Sequence, residues 1–490
     1  MDTEEFRRRG KEMIDYVADY LENIRDRPVY PEIEQGYLRK LIPAAAPQQP
    51  ESWNAVFQDI ERVIMPGVTH WHSPRFHAYF PCGNSWPGIL ADILSDAIGC
   101  IGFSWAASPA CTELETVMMD WLAQLLGLPE HFMFSSKGPG GGVIQGTASE
   151  ACYVALLAAK SRAIRNAKPQ YPDLSDEEIA SKLICYESEQ AHTAAERAAM
   201  LAFVKCRPLS TDQDLSLRGE VLEIAINEDK GKGLIPFYVL ATLGTTGCCA
   251  FDNLKELGAI CQAQDIWLHV DAAYAGSAFI CPEFRSYLEG VELADSFNFN
   301  PHKWMLVNFD CSALWLRDSS LLVRAFMIDL PILIKQPEHG EAMPDYRHWQ
   351  IALGRRFRSL KLWFIMRLYG VEGLQKYIRE QVNLAHEFER MVNKDGRFEI
   401  VIPVRLGLAC FRLRLEDDSD KLNEKLLDEI NKTRLIHLTH TKVHGRYVIR
   451  FAICSRFTNL KDIEYSWHII QKVAESVLQA EAQTSNSTNN

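Results

Sequence analysis

Between about residues 85 and 360, short apolar runs alternate with helical stretches, and this alternation most limits the folds open to the 490-residue chain. The runs Leu183–Tyr186, Phe237–Thr242 and Ile266–Val270 each end in polar loops. Strands alternating with helices predict a parallel sheet covered on both faces. In such folds functional loops gather at the carboxyl ends of strands. His192, Thr245, Thr246 and Asp271 all fall there.

The flanks have a different texture. Residues 4–24 predict an amphipathic helix, with Met13, Ile14, Val17, Tyr20, Leu21 and Ile24 at helical spacing. The Pro-rich stretch that follows, including Pro43–Pro50, forms no core alone, so the arm must cover its apolar stripe on a neighbouring subunit or on its own chain. Beyond about 360, a helical stretch Glu372–Lys394 precedes strand-like Gly407–Leu413 and Tyr447–Ile453, the pattern of a smaller α+β domain. The expected organisation is an N-terminal helical arm (1–85), a large α/β domain (86–360), a small α+β domain (361–481) and a polar, frayed tail (482–490).

Bulk composition removes several classes of function. A net charge of −12, from 52 basic and 64 acidic residues, argues against nucleic-acid binding. The 13 Cys form no CxxC pair and no metal-ligand spacing, so no metal site is expected. Their odd number disfavours a disulfide framework and favours a reducing cytosol. The acidic start Met1-Asp-Thr-Glu-Glu is not a signal peptide. The uncharged run Gly233–Phe251 is interrupted by Pro236, Gly244 and Gly247, so no membrane span is expected.

The chemistry centres on Lys303, in Ser296-Phe-Asn-Phe-Asn-Pro-His-Lys-Trp304, with strand-like apolar residues on both sides. Desolvation lowers an ammonium pKa, and a neutral amine can form a Schiff base with an aldehyde. Upstream, Trp267-Leu-His-Val-Asp271 reads as a buried strand ending in a carboxylate. Asp271 can be a helix N-cap, or it can bind the pyridine nitrogen of pyridoxal 5'-phosphate (PLP) and keep it protonated. Gly138-Pro-Gly-Gly-Gly142-Val-Ile-Gln-Gly146-Thr-Ala-Ser149 leads into a helical stretch, and reads as a phosphate cup or as a flexible connection. It is neither a P-loop nor a dinucleotide fingerprint. His192 can be a structural helix-start residue, or a ring stacked on the cofactor and able to pass a proton.

Four segments together resemble the animal aromatic-L-amino-acid decarboxylases, which are group II PLP-dependent enzymes. They are Phe297–Trp304, His269–Gly276, Ser108–Glu115 and Tyr346–Ile351, and the likeness runs from Phe6 to about Ala480. The resemblance implies an aspartate aminotransferase-like α/β fold (type I) and a homodimer with shared active sites. It implies a cytoplasmic enzyme acting on a small aromatic amino acid such as dopa or 5-hydroxytryptophan, as in catecholamine biosynthesis. By matching segments, it implies that Lys303 carries the cofactor, Asp271 meets its ring nitrogen and His192 stacks on the ring, with Thr246 and Asn300 nearby. Ala148, Ser149 and His302 would help bind the phosphate or ring. Trp71, Tyr79, Phe80, Cys82 and Phe309 would shape the substrate pocket, Tyr79 facing the substrate carboxylate, with Ile101 and Phe103 entering from the partner subunit. Gly354 matches the dopa-type enzymes, where vertebrate histidine decarboxylases tend to carry Ser.

Three departures bear on the product. Ile332 stands where the family carries a loop Tyr thought to protonate the carbanion, Cys82 replaces a usual Thr, and Ala352 replaces a usual Pro. Loss of a general acid is typically worth about 10²–10⁴-fold in rate, and a slow proton leaves time for O2. Ile332 therefore raises an alternative, an aromatic aldehyde synthase that also releases ammonia and peroxide. Ile332 and Cys82 also raise a third reading, a weakly catalytic PLP-binding paralogue kept as a dimerisation partner.

Overall fold

The computed structural model describes residues 1–327, 343–414 and 420–488, and the chain divides into two compact units. One comprises Cys82–Val382; the other combines Met1–Pro81 with Asn383–Asn490. The arm thus shares a unit with the C-terminal segment, and the second division falls within the helix Ser359–Lys394, past the expected residue 360.

The larger unit is built on seven strands: β1 (Gly141–Gln145), β2 (Leu183–Ser188), β3 (Lys205–Leu209), β4 (Ile235–Thr242), β5 (Trp267–Asp271), β6 (Ser296–Phe299) and β7 (Ser312–Leu316). Their order is β1-β7-β6-β5-β4-β2-β3. Strands β3, β2, β4, β5 and β6 pair in parallel, whereas β7 runs antiparallel to both β6 and β1. Six carboxyl ends therefore share one edge of the sheet. The expected parallel sheet holds for all strands but β7, which returns directly beside β6 and needs no crossover helix. Every residue of β1, β2, β5, β6 and β7 is buried, consistent with strands covered on both faces. The helix Ala148–Ala167 packs across this core through Ala151, Val154, Ala155 and Ala158, small side chains that let it lie close to the strands.

The glycine run resolves into two parts. Gly141 and Gly142 lie in β1, where a Cβ at Gly142 would meet Met119 Cε at 2.5 Å and Trp315 Cδ1 at 2.8 Å. A Cβ at Gly140 would meet the carbonyl of His131. These glycines admit neighbouring protein, not a phosphate, which corrects their reading as part of the cup. Segment 304–309, expected to be strand-like, is not a strand either: Lys303 sits in a short helical turn, Pro301–Trp304, and β7 begins only at Ser312.

The other unit contains an antiparallel sheet ordered β10-β11-β9-β8, with β8 Phe398–Ile400, β9 Leu408–Leu413, β10 Thr439–Val443 and β11 Arg446–Ala452. Phe388, Phe411, Phe451 and Trp467 interlock in its core. Residues of the arm are bound into it: Val29 N–H donates to Arg434 O at 3.0 Å, and Ala452 N–H to His77 O at 3.1 Å. The helix Thr3–Glu22 is capped by Asp2, but only Leu21 along it is buried, while Phe6 and Ile14 remain exposed.

His77 is wholly buried, bonded through Nδ1 to Ala452 O (3.0 Å) and through Nε2 to Ser466 Oγ (3.0 Å), and stacked on Phe451. Burial pushes its pKa down to about 4. The folded state thus binds fewer protons than the unfolded state between pH about 6.5 and 4. Stability is full above about 6.5 and falls as pH drops, by up to about 1.4 kcal/mol per pH unit for this one group. Urea midpoints measured across this range should fall more steeply for wild type than for His77→Phe, whose ring keeps the stacking but cannot titrate.

Candidate active site

One cavity of about 170 Å³ opens at the carboxyl edge of the large sheet, and the strand ends determine what lines it. After β1, Thr147 caps the helix Ala148–Ala167, its hydroxyl accepting from Glu150 N–H at 3.2 Å. Thr147, Ala148 and Ser149 line the cavity. The first-turn amides of Ala148 and Ser149 have no acceptor among the described residues, and such amides at the positive end of a helix attract an anion. Beyond β4, Gly244 and Thr246 line the opposite side. Gly244 has φ +81, and a Cβ there would lie 2.6 Å from that of Ala275, so both the turn and the packing call for glycine.

Asp271 ends β5 and is 5% exposed. It accepts from Ala273 N–H at 2.9 Å and from Asn298 Nδ2 at 3.3 Å, both at Oδ1, while the carboxylate also lines the cavity. After β6, Asn300 occupies the N-cap position of the turn that carries Lys303, and Asn300 Oδ1 is buried with no partner among the described residues. The same turn is anchored by Trp304, fully buried and stacked on Tyr274 with centroids 4.9 Å apart. Lys303 itself is half-buried and points into the cavity wall.

His192 lies in the loop after β2, with Nδ1 accepting from Ala194 N–H at 3.1 Å. The residue is exposed, yet desolvation by the surrounding protein lowers its pKa. The positive charge of Lys303 acts the same way, against a weaker pull from Asp271. The neutral ring therefore carries its proton on Nε2.

Ala148, Ser149, His192, Thr246, Asp271, Asn300 and Lys303 thus meet in one cavity. His302 does not line it; its Nδ1 accepts from Cys311 N–H at 2.9 Å, its ring packs on Phe309, and burial holds its pKa at about 3. Gly83 N–H donates to His302 O at 2.6 Å, which brings the half-buried Cys82 beside this loop, its thiol pKa raised by burial. Phe309 and Ile101 are exposed, at 57% and 54%; Phe103 is half-buried, and its carbonyl accepts from Arg347 N–H. Gly354 is exposed, with room for a side chain. Trp71, Tyr79 and Phe80 belong to the other unit: Trp71 stacks on Tyr79 at 5.2 Å, and Arg450 lies over Phe80 and donates to Tyr79 O. Tyr79 adopts φ +55, a costly conformation for an aromatic residue, and its ring is exposed. Ile332 lies outside the described residues.

Thr242, Ala273 and Tyr274 also line the cavity and were not singled out from the sequence. Thr242 closes the run 237–242, and the other two lie two and three residues past Asp271, so position at a strand end is the available signal.

Residues 35–414 match the family model described as the pyridoxal-dependent decarboxylase conserved domain. The chain is 60% identical to an aromatic-L-amino-acid decarboxylase of Manduca sexta, over 96% of this chain and 92% of that protein. It is 57% identical to the enzyme of that name from Mus musculus, over 98% and 100%. Among solved structures, Catharanthus roseus tryptophan decarboxylase in complex with L-tryptophan is similar with a TM-score of 0.91 and 43% identity, over 97% of this chain and 99% of that one.

Gly244→Ala should lower stability by at least about 1 kcal/mol, because strain and contact add. It should also weaken retention of the cofactor. Denaturation midpoints and fluorescence titration with pyridoxal phosphate measure both effects.

Proposed function

The chain belongs to the pyridoxal-dependent decarboxylase family, and from that membership we propose that it removes the α-carboxyl group of an aromatic L-amino acid, releasing the amine and CO2. It is a carboxy-lyase of the type I, aspartate aminotransferase-like fold that works with PLP. The observation that carries this reading is the single cavity uniting free helix amides, a buried carboxylate, a neutral imidazole and an amine.

The residues present fit the cofactor. The unspent amides of Ala148 and Ser149 and the Ser149 hydroxyl suit a phosphate dianion. Asn300 Oδ1, without a partner among the described residues, offers an acceptor in the same wall, and Asp271 suits a protonated ring nitrogen. When bound, PLP supplies the electron sink that takes up the pair left as the carboxyl group departs. Lys303 would provide the amine that holds the cofactor's aldehyde carbon. His192 offers an aromatic face and holds a proton at Nε2, available for delivery to the substrate Cα.

A homodimer accords with the surface of the larger unit. The helix Trp86–Ile98 exposes Trp86, Leu90, Ile93, Leu94 and Ile98, a contiguous apolar stripe of a kind rarely left in water. Ile101, three residues further on, is exposed and lines no part of its own chain's cavity, consistent with a role in a second copy's site. Among the described residues no helix is long and apolar enough to cross a membrane. The free thiols fit a reducing compartment, and we assign the enzyme to the cytoplasm, with dopa and 5-hydroxytryptophan as first candidate substrates.

Incubation under air with L-dopa, 5-hydroxytryptophan, tyrosine and histidine, followed by assay of CO2, amine, aldehyde, ammonia and peroxide, tests the activity. Amine equal to CO2 is expected for at least one aromatic substrate. Aldehyde and peroxide in step with CO2 would instead identify the synthase raised by Ile332, and no turnover would leave the paralogue reading. Lys303→Ala should lose at least about 10²–10⁴ in rate, and borohydride should no longer fix cofactor to the chain. Ile93→Asp with Leu94→Asp should sediment as a monomer and lose activity if the stripe is the subunit contact.

A further inference from the structure

Behind Asp271 lies a buried arrangement that the proposed chemistry does not itself use. Trp267, His269 and Asp271 alternate along β5, and Ser296 and Asn298 along β6, so each set faces one side of the sheet. Strand pairing sets His269 beside Ser296 and Asp271 beside Asn298. Trp267 Nε1–H donates to Ser296 Oγ at 2.8 Å, and Ser296 Oγ lies 2.8 Å from His269 Nδ1. His269 Nε2 lies 2.8 Å from Asn298 Oδ1, and Asn298 Nδ2 donates to Asp271 Oδ1 at 3.3 Å. His269, Ser296 and Asn298 are wholly buried, and Tyr238 stacks on the imidazole.

One assignment of protons satisfies every member. An indole N–H can only donate, so Ser296 accepts from Trp267 and spends its own proton on His269 Nδ1. Burial holds the His269 pKa at about 4, so the ring is neutral and its single proton sits on Nε2. That proton turns Asn298 Oδ1 toward the imidazole, where Cys152 Sγ also approaches at 3.7 Å, and directs the amide nitrogen at Asp271. Reversing the chain would set Asn298 Oδ1 against Asp271 Oδ1, oxygen facing oxygen, unless Asp271 took up a proton. It would also leave the Ser296 hydroxyl proton in search of another acceptor.

We propose that Ser296, His269 and Asn298 are positioning residues, a one-way chain of donors that orients the Asp271 carboxylate toward the cofactor's ring nitrogen and so keeps that nitrogen protonated. The proposal rests on the assignment of Asp271 to that nitrogen. Two donors, Ala273 N–H and Asn298 Nδ2–H, occupy Oδ1 and leave Oδ2 as the oxygen that meets the ring.

Holoenzyme reconstituted with ring-15N pyridoxal phosphate provides the test, read by nitrogen NMR at neutral pH. The wild-type resonance is expected in the protonated range, and Asp271→Asn is expected to move it toward unprotonated pyridine. A wild-type nitrogen that is unprotonated, or one that Asp271→Asn leaves unmoved, overturns the Asp271 assignment and the chain with it. Given that shift, Asn298→Leu and His269→Phe are expected to move the resonance the same way and to weaken cofactor affinity about tenfold. Should those variants fail to fold, Ser296→Ala is the milder probe, expected to produce a smaller shift that Ser296→Thr reverses. A shift in Asp271→Asn, with full protonation and wild-type affinity in folded chain variants, overturns the chain alone.

Discussion

In-register parallel pairing of β4, β5 and β6 is the constraint on which the site depends. It sets Thr242 opposite Asp271, and Asp271 opposite Asn298, so that three strands deliver polar groups to one edge at one level. These strands are buried on both faces, and a slip of one residue would turn the polar set through the sheet to its other side. The loops beyond them are tied at the same height: Asn300 N–H donates to Ala273 O, and Asp252 accepts from Thr242 N–H. The polar groups of this edge are thus placed before any ligand arrives, which is what preorganisation requires.

A buried ion pair supports the other side of the cavity. Glu115 and Arg355 are each about 1% exposed and meet at 2.6 Å, and Glu115 Oε1 also accepts from Ile144 N–H in β1. Arg355 lies over the ring of Tyr346, and Gln145 Nε2 donates to Trp349 O. Two distant segments, 108–115 and 346–355, thereby converge on the strand that leads into the helix Ala148–Ala167. Removing one partner of such a pair typically costs about 3–5 kcal/mol, because the other charge stays buried and alone. The pair therefore acts as a specific latch on the position of β1, a role that area burial alone would not provide.

Legibility in the sequence followed the range of the physics. Runs 183–186, 237–242 and 266–270 announced β2, β4 and β5 because burial on both faces leaves a local mark, a continuous apolar string. Strand β7 is equally buried, but its direction is not a local property: its antiparallel place beside β6 depends on the loop between them. The glycines at 140–142 misled for a related reason. A glycine records only that something comes close, and Trp315 and Met119, far away in sequence, turned out to be what does. Apolar residues on both sides of Lys303 predict strands there, whereas Pro301 starts a helical turn that Trp304 then anchors.

The sequence by itself determined the chemical inventory: an amine at 303, a carboxylate at the end of an apolar strand, an imidazole in a loop, and hydroxyls at a helix start. It also determined the layered α/β class, since periodicity and strand–helix alternation are local properties. Only the tertiary structure decided which of these groups share one cavity, and which stand apart, as His302 and Phe309 do. It alone aligned Trp267, Ser296, His269 and Asn298 behind Asp271. The reason is physical: alternation along a strand tells which side chains share a face, but a hydrogen bond between strands exists only once their register is set.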